Sequence, residues 1–168
     1  MFLNGYDTGG HDDLFALNPD VQLNDWPVNH EESAPHYGAS FLFTTYFLER
    51  FGEEATKALV AHPENGLDSI DALMQQRGEK DALTGKNIDA DDIFLDWAIT
   101  LILQDENVGD GRYAYKNLTN APKPSYTERL SKCTPDQFTR DIRQYGIDYI
   151  FIKCDEDTTL HFEGSTMV

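Results

Sequence analysis

The stretch "SAPHYGASFLFTTYFLERFG", residues 33–52, constrains the fold more than any other part of the chain. Ala39, Leu42, Phe43, Tyr46 and Phe47 recur at helical spacing, and Phe41, Leu48 and Phe51 add a second stripe. Pro35 suits a first helical position and Gly52 a C-terminal stop, so the pattern predicts a helix over 35–51. A helix apolar on most sides must be surrounded by other elements, so it is expected at the centre of a helical domain.

Further helices are expected around it. Glu53 and Glu54 favour the positive end of a short helix over 53–61, broken by "HPENG". Leu67, Ile70, Leu73 and Met74 predict an inward face over 67–77, with Gly78 as terminator. Asp89 is a good N-cap for a helix over 89–104, where Phe94, Trp97, Ala98, Leu101 and Ile102 share a face, widened by Ile93 and Ile99. Trp97 is expected to be buried against the central helix. Residues 1–34 are dense in Gly, Asn, Asp and Pro and read as a long ordered loop, with Phe2 and Leu3 as the last turn of a preceding helix. Residues 35–110 form the helical subdomain, and 111–140, with three prolines, read as a linker. Residues 141–168 alternate from Ile147 to Lys153 and again near 158–162, which predicts two strands opening a β-domain. The expected class is therefore mainly α: four helices, then a short β segment at the C-terminus.

Charge limits the partners. Thirteen basic residues face thirty acidic ones, a net charge of -17, and that field repels a phosphate backbone, so no nucleic acid is expected. An apolar fraction of 40% supplies a core, but no run reaches the ~20 apolar residues of a membrane span, so no membrane partner is expected either. "MFLNGYDTGG" has no basic start and turns polar early, so it does not read as a signal peptide; as it stands the chain is expected in the cytoplasm.

Few motifs carry chemistry. The five histidines, at 11, 30, 36, 62 and 161, show no metal-ligand spacing, and HExxH is absent. Cys133 and Cys154 are the only cysteines; without CxxC they form no thiolate zinc site, and they are either one disulfide or two thiols. No metal is expected to be held by this chain's own residues, although Asp105, Glu106 and Asp110 in "DENVGDG" make a calcium turn conceivable. His36 stands near the expected start of the central helix, where it could donate to an oxyanion, or simply cap the helix or face solvent.

Taken together, "APHYGASFLFTTYFLERFGEEATKALVAHPENGLDSIDALM", "DADDIFLDWAITLIL" and "GRYAY" resemble the helical C-terminal half of gluzincin-type zinc metallopeptidases. The nearest likeness is to the hyicolysin-like and immune-inhibitor-like secreted bacterial enzymes. "LNGYDTGG" with "NPDVQLNDWP" looks like the segment following the helix of the zinc-ligand glutamate, and "QYGIDYIFIK" with "LHFEGST" like the first strands of a trailing β-domain.

The resemblance implies a parent enzyme that binds zinc, hydrolyses peptide bonds in a peptide or protein substrate, and is secreted. It implies His36 as oxyanion donor, with Tyr37 as runner-up, and a disulfide between Cys133 and Cys154 if the parent is exported. It also implies that the zinc ligands lie in an N-terminal half upstream of Met1, so this chain alone is expected to be inactive and to hold no zinc. The alternative is a non-enzymatic acidic binding or scaffold module that kept the helices and discarded the site.

Overall fold

The computed structural model describes residues 8–130, 139–154, 157 and 159–164. The fold is mainly helical: α1 (His11–Leu17), α2 (His30–Val60), α3 (Gly66–Arg77) and α4 (Ala90–Leu103), followed by β1 (Glu128–Leu130) and β2 (Ile150–Ile152). Helix α2 is the axis, and α1, α3 and α4 all pack on it. Its expected stripe of Ala39, Leu42, Phe43, Tyr46 and Phe47 is buried throughout.

The central helix is longer than its sequence signals suggest. It begins at His30, capped by Asn29, whose side chain accepts from the Glu31 N–H at 3.1 Å. Pro35 therefore sits inside the helix, and the acidic pair Glu31 and Glu32 occupies the first turn, where the helix dipole favours it. At the other end Gly52 (φ 85°, ψ 173°) breaks the helical path without a loop, so the expected short helix over 53–61 continues directly from the central one. That backbone geometry is costly for any residue with a Cβ.

Helix α1 replaces part of the expected loop over 1–34. Only seven residues long, it would not hold alone in water. It forms because Phe15 and Ala16 are buried, with Phe15 stacked on Trp97 at 5.7 Å, and because Gly38 of α2 has no Cβ to exclude the backbone of His11. The expected turn of helix at Phe2 and Leu3 lies outside the described residues.

Helices α3 and α4 follow their sequence signals. Gly78 ends α3 in the left-handed conformation, with the Glu79 N–H returning to Met74 O. Asp89 and Asp92 form a reciprocal capping box at the start of α4. Ile93 is fully buried, whereas Ile99 is exposed and does not widen the core face. Trp97 is 1% exposed, packed against Phe15, Phe43 and Phe94, and its Nε1–H donates to Tyr115 Oη at 2.9 Å.

The segment after α4 is not a free linker. Tyr115 donates to Leu42 O at 3.0 Å, and Glu49 of α2 accepts from the backbone N–H groups of Lys116, Asn117 and Leu118. Strands β1 and β2 pair in parallel, Glu128 opposite Ile150 and Leu130 opposite Ile152. Their approach is tied to the helical body: Tyr149 donates to Ala98 O at 2.5 Å, Ile147 N–H to Pro19 O at 3.3 Å, and Leu23 N–H to Tyr145 O at 3.3 Å. Of the second strand expected near 158–162, residue 158 lies outside the described residues and 159–162 have no strand geometry, with Leu160 and Phe162 exposed.

Candidate functional site

His36 does not stand at the helix mouth. It lies in the second turn of α2, where its own N–H is internal to the helix, so the argument from free N–H groups at a helix start does not apply. The side chain is 7% exposed, and its Nδ1 lies 2.8 Å from the backbone carbonyl of Gln22. A carbonyl can only accept, so Nδ1 carries a proton. Nε2 has no hydrogen-bond partner among the described residues and is not among the buried orphan atoms, which places it at the solvent boundary. In the neutral ring Nε2 is a lone pair, able to accept a proton or ligate a metal. It donates only in the imidazolium form.

One aromatic ring, that of Trp26, meets His36, and a chain of rings runs on from it through Tyr37 to His11. Trp26 lies 5.8 Å from His36, tilted by 45°, and meets Tyr37 edge-on at 4.7 Å. Tyr37 in turn stacks on His11 at 5.8 Å. Trp26 is fixed by its Nε1–H donating to Leu23 O at 3.0 Å, within the loop that supplies the Gln22 carbonyl. Val21 and Leu23, on either side of Gln22, are buried and anchor that loop in the core. Trp26 and Tyr37 remain 37% and 45% exposed, so the corner is open to a ligand. Sequence reasoning singled out His36 and Tyr37 but not Trp26, His11 or Gln22. The loop that carries Trp26 and Gln22 is shaped by contacts with residues more than a hundred positions away.

A second polar cluster lies on the opposite stretch of α2. Arg112 grips both oxygens of Asp110, at 2.7 and 2.8 Å, and reaches Asp81 and, at 3.0 Å, Asp96. Arg50 joins at 2.5 Å to Asp96 and 3.0 Å to Tyr46 Oη. The Arg112 guanidinium and the Thr84 N–H hold the Asp81 carboxyl well below the usual carboxylate range. Burial pushes the Tyr46 hydroxyl up to about 12, against the pull of Arg50. A cavity of about 120 Å³ opens here between Glu49, Arg50 and Lys116. Every charge of the Arg50–Arg112–Asp81–Asp96 group has a partner within the chain, so the cluster clamps the loops after α3 and α4 onto α2.

The conceivable calcium turn falls partly into this clamp. Asp110 gives both oxygens to Arg112, and Asp105 caps Asn107 at 2.9 Å. Among the described residues no group of three or more His, Cys, Asp or Glu is gathered to hold a metal ion. Cys154 is half-buried just after β2, and Cys133 lies outside the described residues, as does their pairing.

Comparison of the chain with protein-family models, with curated proteins and with solved structures gives no match.

Proposed function

We propose that this chain is the helical part of a gluzincin-type zinc metallopeptidase and that its His36 serves the peptide-hydrolysing site of the complete enzyme. The observation that carries the reading is the 2.8 Å contact between His36 Nδ1 and Gln22 O. A nearly buried imidazole, fixed through one nitrogen and presenting the other at a solvent boundary, is built for work at that second nitrogen. As an imidazolium, Nε2 donates to the oxyanion that forms when water adds to a peptide carbonyl. One such donor is worth about 10²–10³ in rate. Tyr37, one residue on and half-exposed, is the alternative donor.

The zinc ligands and the general base that activates the water belong to a segment outside this sequence, which lacks HExxH. Zinc would be the cofactor of that larger protein, a peptide or protein its substrate, and the cell exterior its place of action. A protein extended upstream tests the reading. It is expected to bind about one zinc per chain and to cleave casein in a chelator-sensitive way, while the 168-residue chain shows neither property. An extended protein without zinc and without cleavage would leave the non-enzymatic module as the better reading.

A further inference from the structure

The turn "HPENG", residues 62–66, carries the chain from α2 into α3 and belongs to neither cluster described above. Within it Asn65 stands beside Gly66. A glycine successor has no side chain to shield its backbone nitrogen, and the peptide before it rotates at little steric cost. Every other asparagine except Asn4 precedes a residue with a side chain, and the pair Asn4–Gly5 lies outside the described residues.

Both reacting groups of the Asn65–Gly66 pair are free. Asn65 holds the N-cap position of α3 in extended geometry (φ −119°, ψ 163°), yet its side chain makes no capping hydrogen bond and none elsewhere. Gly66 is the first residue of α3, so its N–H is one of the unpaired donors of a helix start. Both residues are exposed. A Cβ on Gly66 would meet no atom within 4 Å, so no neighbour confines the backbone there. The pair Asp110–Gly111 is the opposite case. Arg112 holds both Asp110 oxygens, at 2.7 and 2.8 Å, and the Gly111 N–H donates to Val108 O at 3.2 Å.

From this we infer that Asn65 is a site of self-modification, in which the Gly66 nitrogen attacks the Asn65 side-chain amide. A bond forms between the Gly66 nitrogen and Asn65 Cγ and closes a succinimide. The Cγ–Nδ2 bond breaks, and Nδ2 leaves as ammonia with the proton given up by the Gly66 nitrogen. Water then opens the ring at either carbonyl, which yields aspartate or isoaspartate. Water is the one co-reactant, and the peptidase reading plays no part. The aspartate product places a new carboxylate at the N-cap of α3, where it accepts from helix N–H groups and meets the positive end of the dipole. The isoaspartate product adds a backbone methylene at the entry to α3.

The 168-residue chain tests this directly. It is aged at mildly alkaline pH, once folded in buffer and once unfolded in guanidinium chloride. Peptide mapping by mass spectrometry follows each asparagine separately, Asn4 included, and enzymatic methylation counts isoaspartate. In the folded chain Asn65 is expected to convert within about three-fold of its unfolded rate, because local opening of an exposed turn costs little. It is expected to convert about ten-fold or more faster than Asn87, Asn107 and Asn117, whose successors Ile88, Val108 and Leu118 carry branched side chains. Asp110 is expected to isomerise in the unfolded chain only.

An Asn65 that stays intact in the folded chain while it converts in guanidinium chloride would overturn the inference, since the turn would then hold the amide or the Gly66 N–H. Conversion of Asn107 or Asn117 as fast as Asn65 would also overturn it, since the free geometry at Asn65 would then confer nothing. Isomerisation of Asp110 as fast in the folded chain as in the unfolded one would overturn the argument that held groups are protected and free ones react.

Discussion

The backbone carbonyl of His11 lies where a Cβ on Gly38 would stand, so α1 rests directly on the backbone of α2 at that point. One missing methyl group thereby seats a seven-residue helix, puts Phe15 against Trp97, and brings the His11 ring onto Tyr37 beside His36.

Gly38→Ala is therefore expected to be severe for so small a change. The obstacle is backbone, which cannot rotate away as a side chain could, so the cost should lie near the top of the overpacking range, about 3 kcal/mol. A urea melt reads it. A loss below about 0.5 kcal/mol, within the range of neutral surface changes, would mean that α1 is not seated on Gly38.

Trp97→Ala should cost roughly 3–5 kcal/mol, since the indole is 1% exposed and touches three aromatic rings from three elements. Tyr115→Phe keeps the packing but removes the oxygen between the indole N–H and Leu42 O. Its expected cost is about 1–3 kcal/mol, the penalty for buried polar groups left without partners. Equal stability of Tyr115→Phe and the parent protein in urea would contradict that hydrogen-bond chain.

The charge clamp gives the chain an acid limit. The folded-state carboxyl of Asp81 titrates well below its unfolded value, and that of Asp110 is lowered as well, both chiefly through hydrogen bonds from Arg112. A depressed carboxyl contributes stability above its unfolded pKa, about 3.9, and loses it as pH falls through the folded value. Stability should thus hold above about pH 4–5 and decline below it. Arg112→Met removes the partner of three carboxylates and is expected to cost about 3 kcal/mol near neutral pH. The gap between parent and variant should narrow as pH falls from about 4 to 2. A gap independent of pH, measured by denaturant melts across that range, would remove Arg112 from this role.

Where local signals coincide, the fold is legible in the chain. Asp89, Asp92 and the stripe through Trp97 place α4 to within a residue, and Gly78 ends α3. Local signals mislead where two readings compete. Pro35 reads as a helix start, but the Asn29 cap with Glu31 and Glu32 begins the helix earlier, and the helix carries the proline inside. Helix α1 is hidden among turn formers because its stability comes from Gly38 and Trp97, not from its own residues. Strand β1 is hidden because three residues gain their geometry only from the partner at 150–152. At the candidate site, His36 draws notice through an expected place at a helix start that the structure does not bear out, and Tyr37 only through the family resemblance. Trp26 and the Gln22 carbonyl are not legible, since residues 143–147 fold the loop that delivers them.

The most direct test of the account is His36→Ala in the upstream-extended protein. Zinc content should be unchanged, because the side chain is not proposed as a ligand, and stability should fall only by the loss of one buried hydrogen bond to Gln22 O, about 1–3 kcal/mol, which leaves the protein folded at assay temperature. The kcat for casein should fall by about 10²–10³ with KM nearly constant, as for the loss of a donor that acts in the transition state. Full activity in the folded, zinc-loaded variant would contradict the role of His36 and send the search to Tyr37 or away from α2.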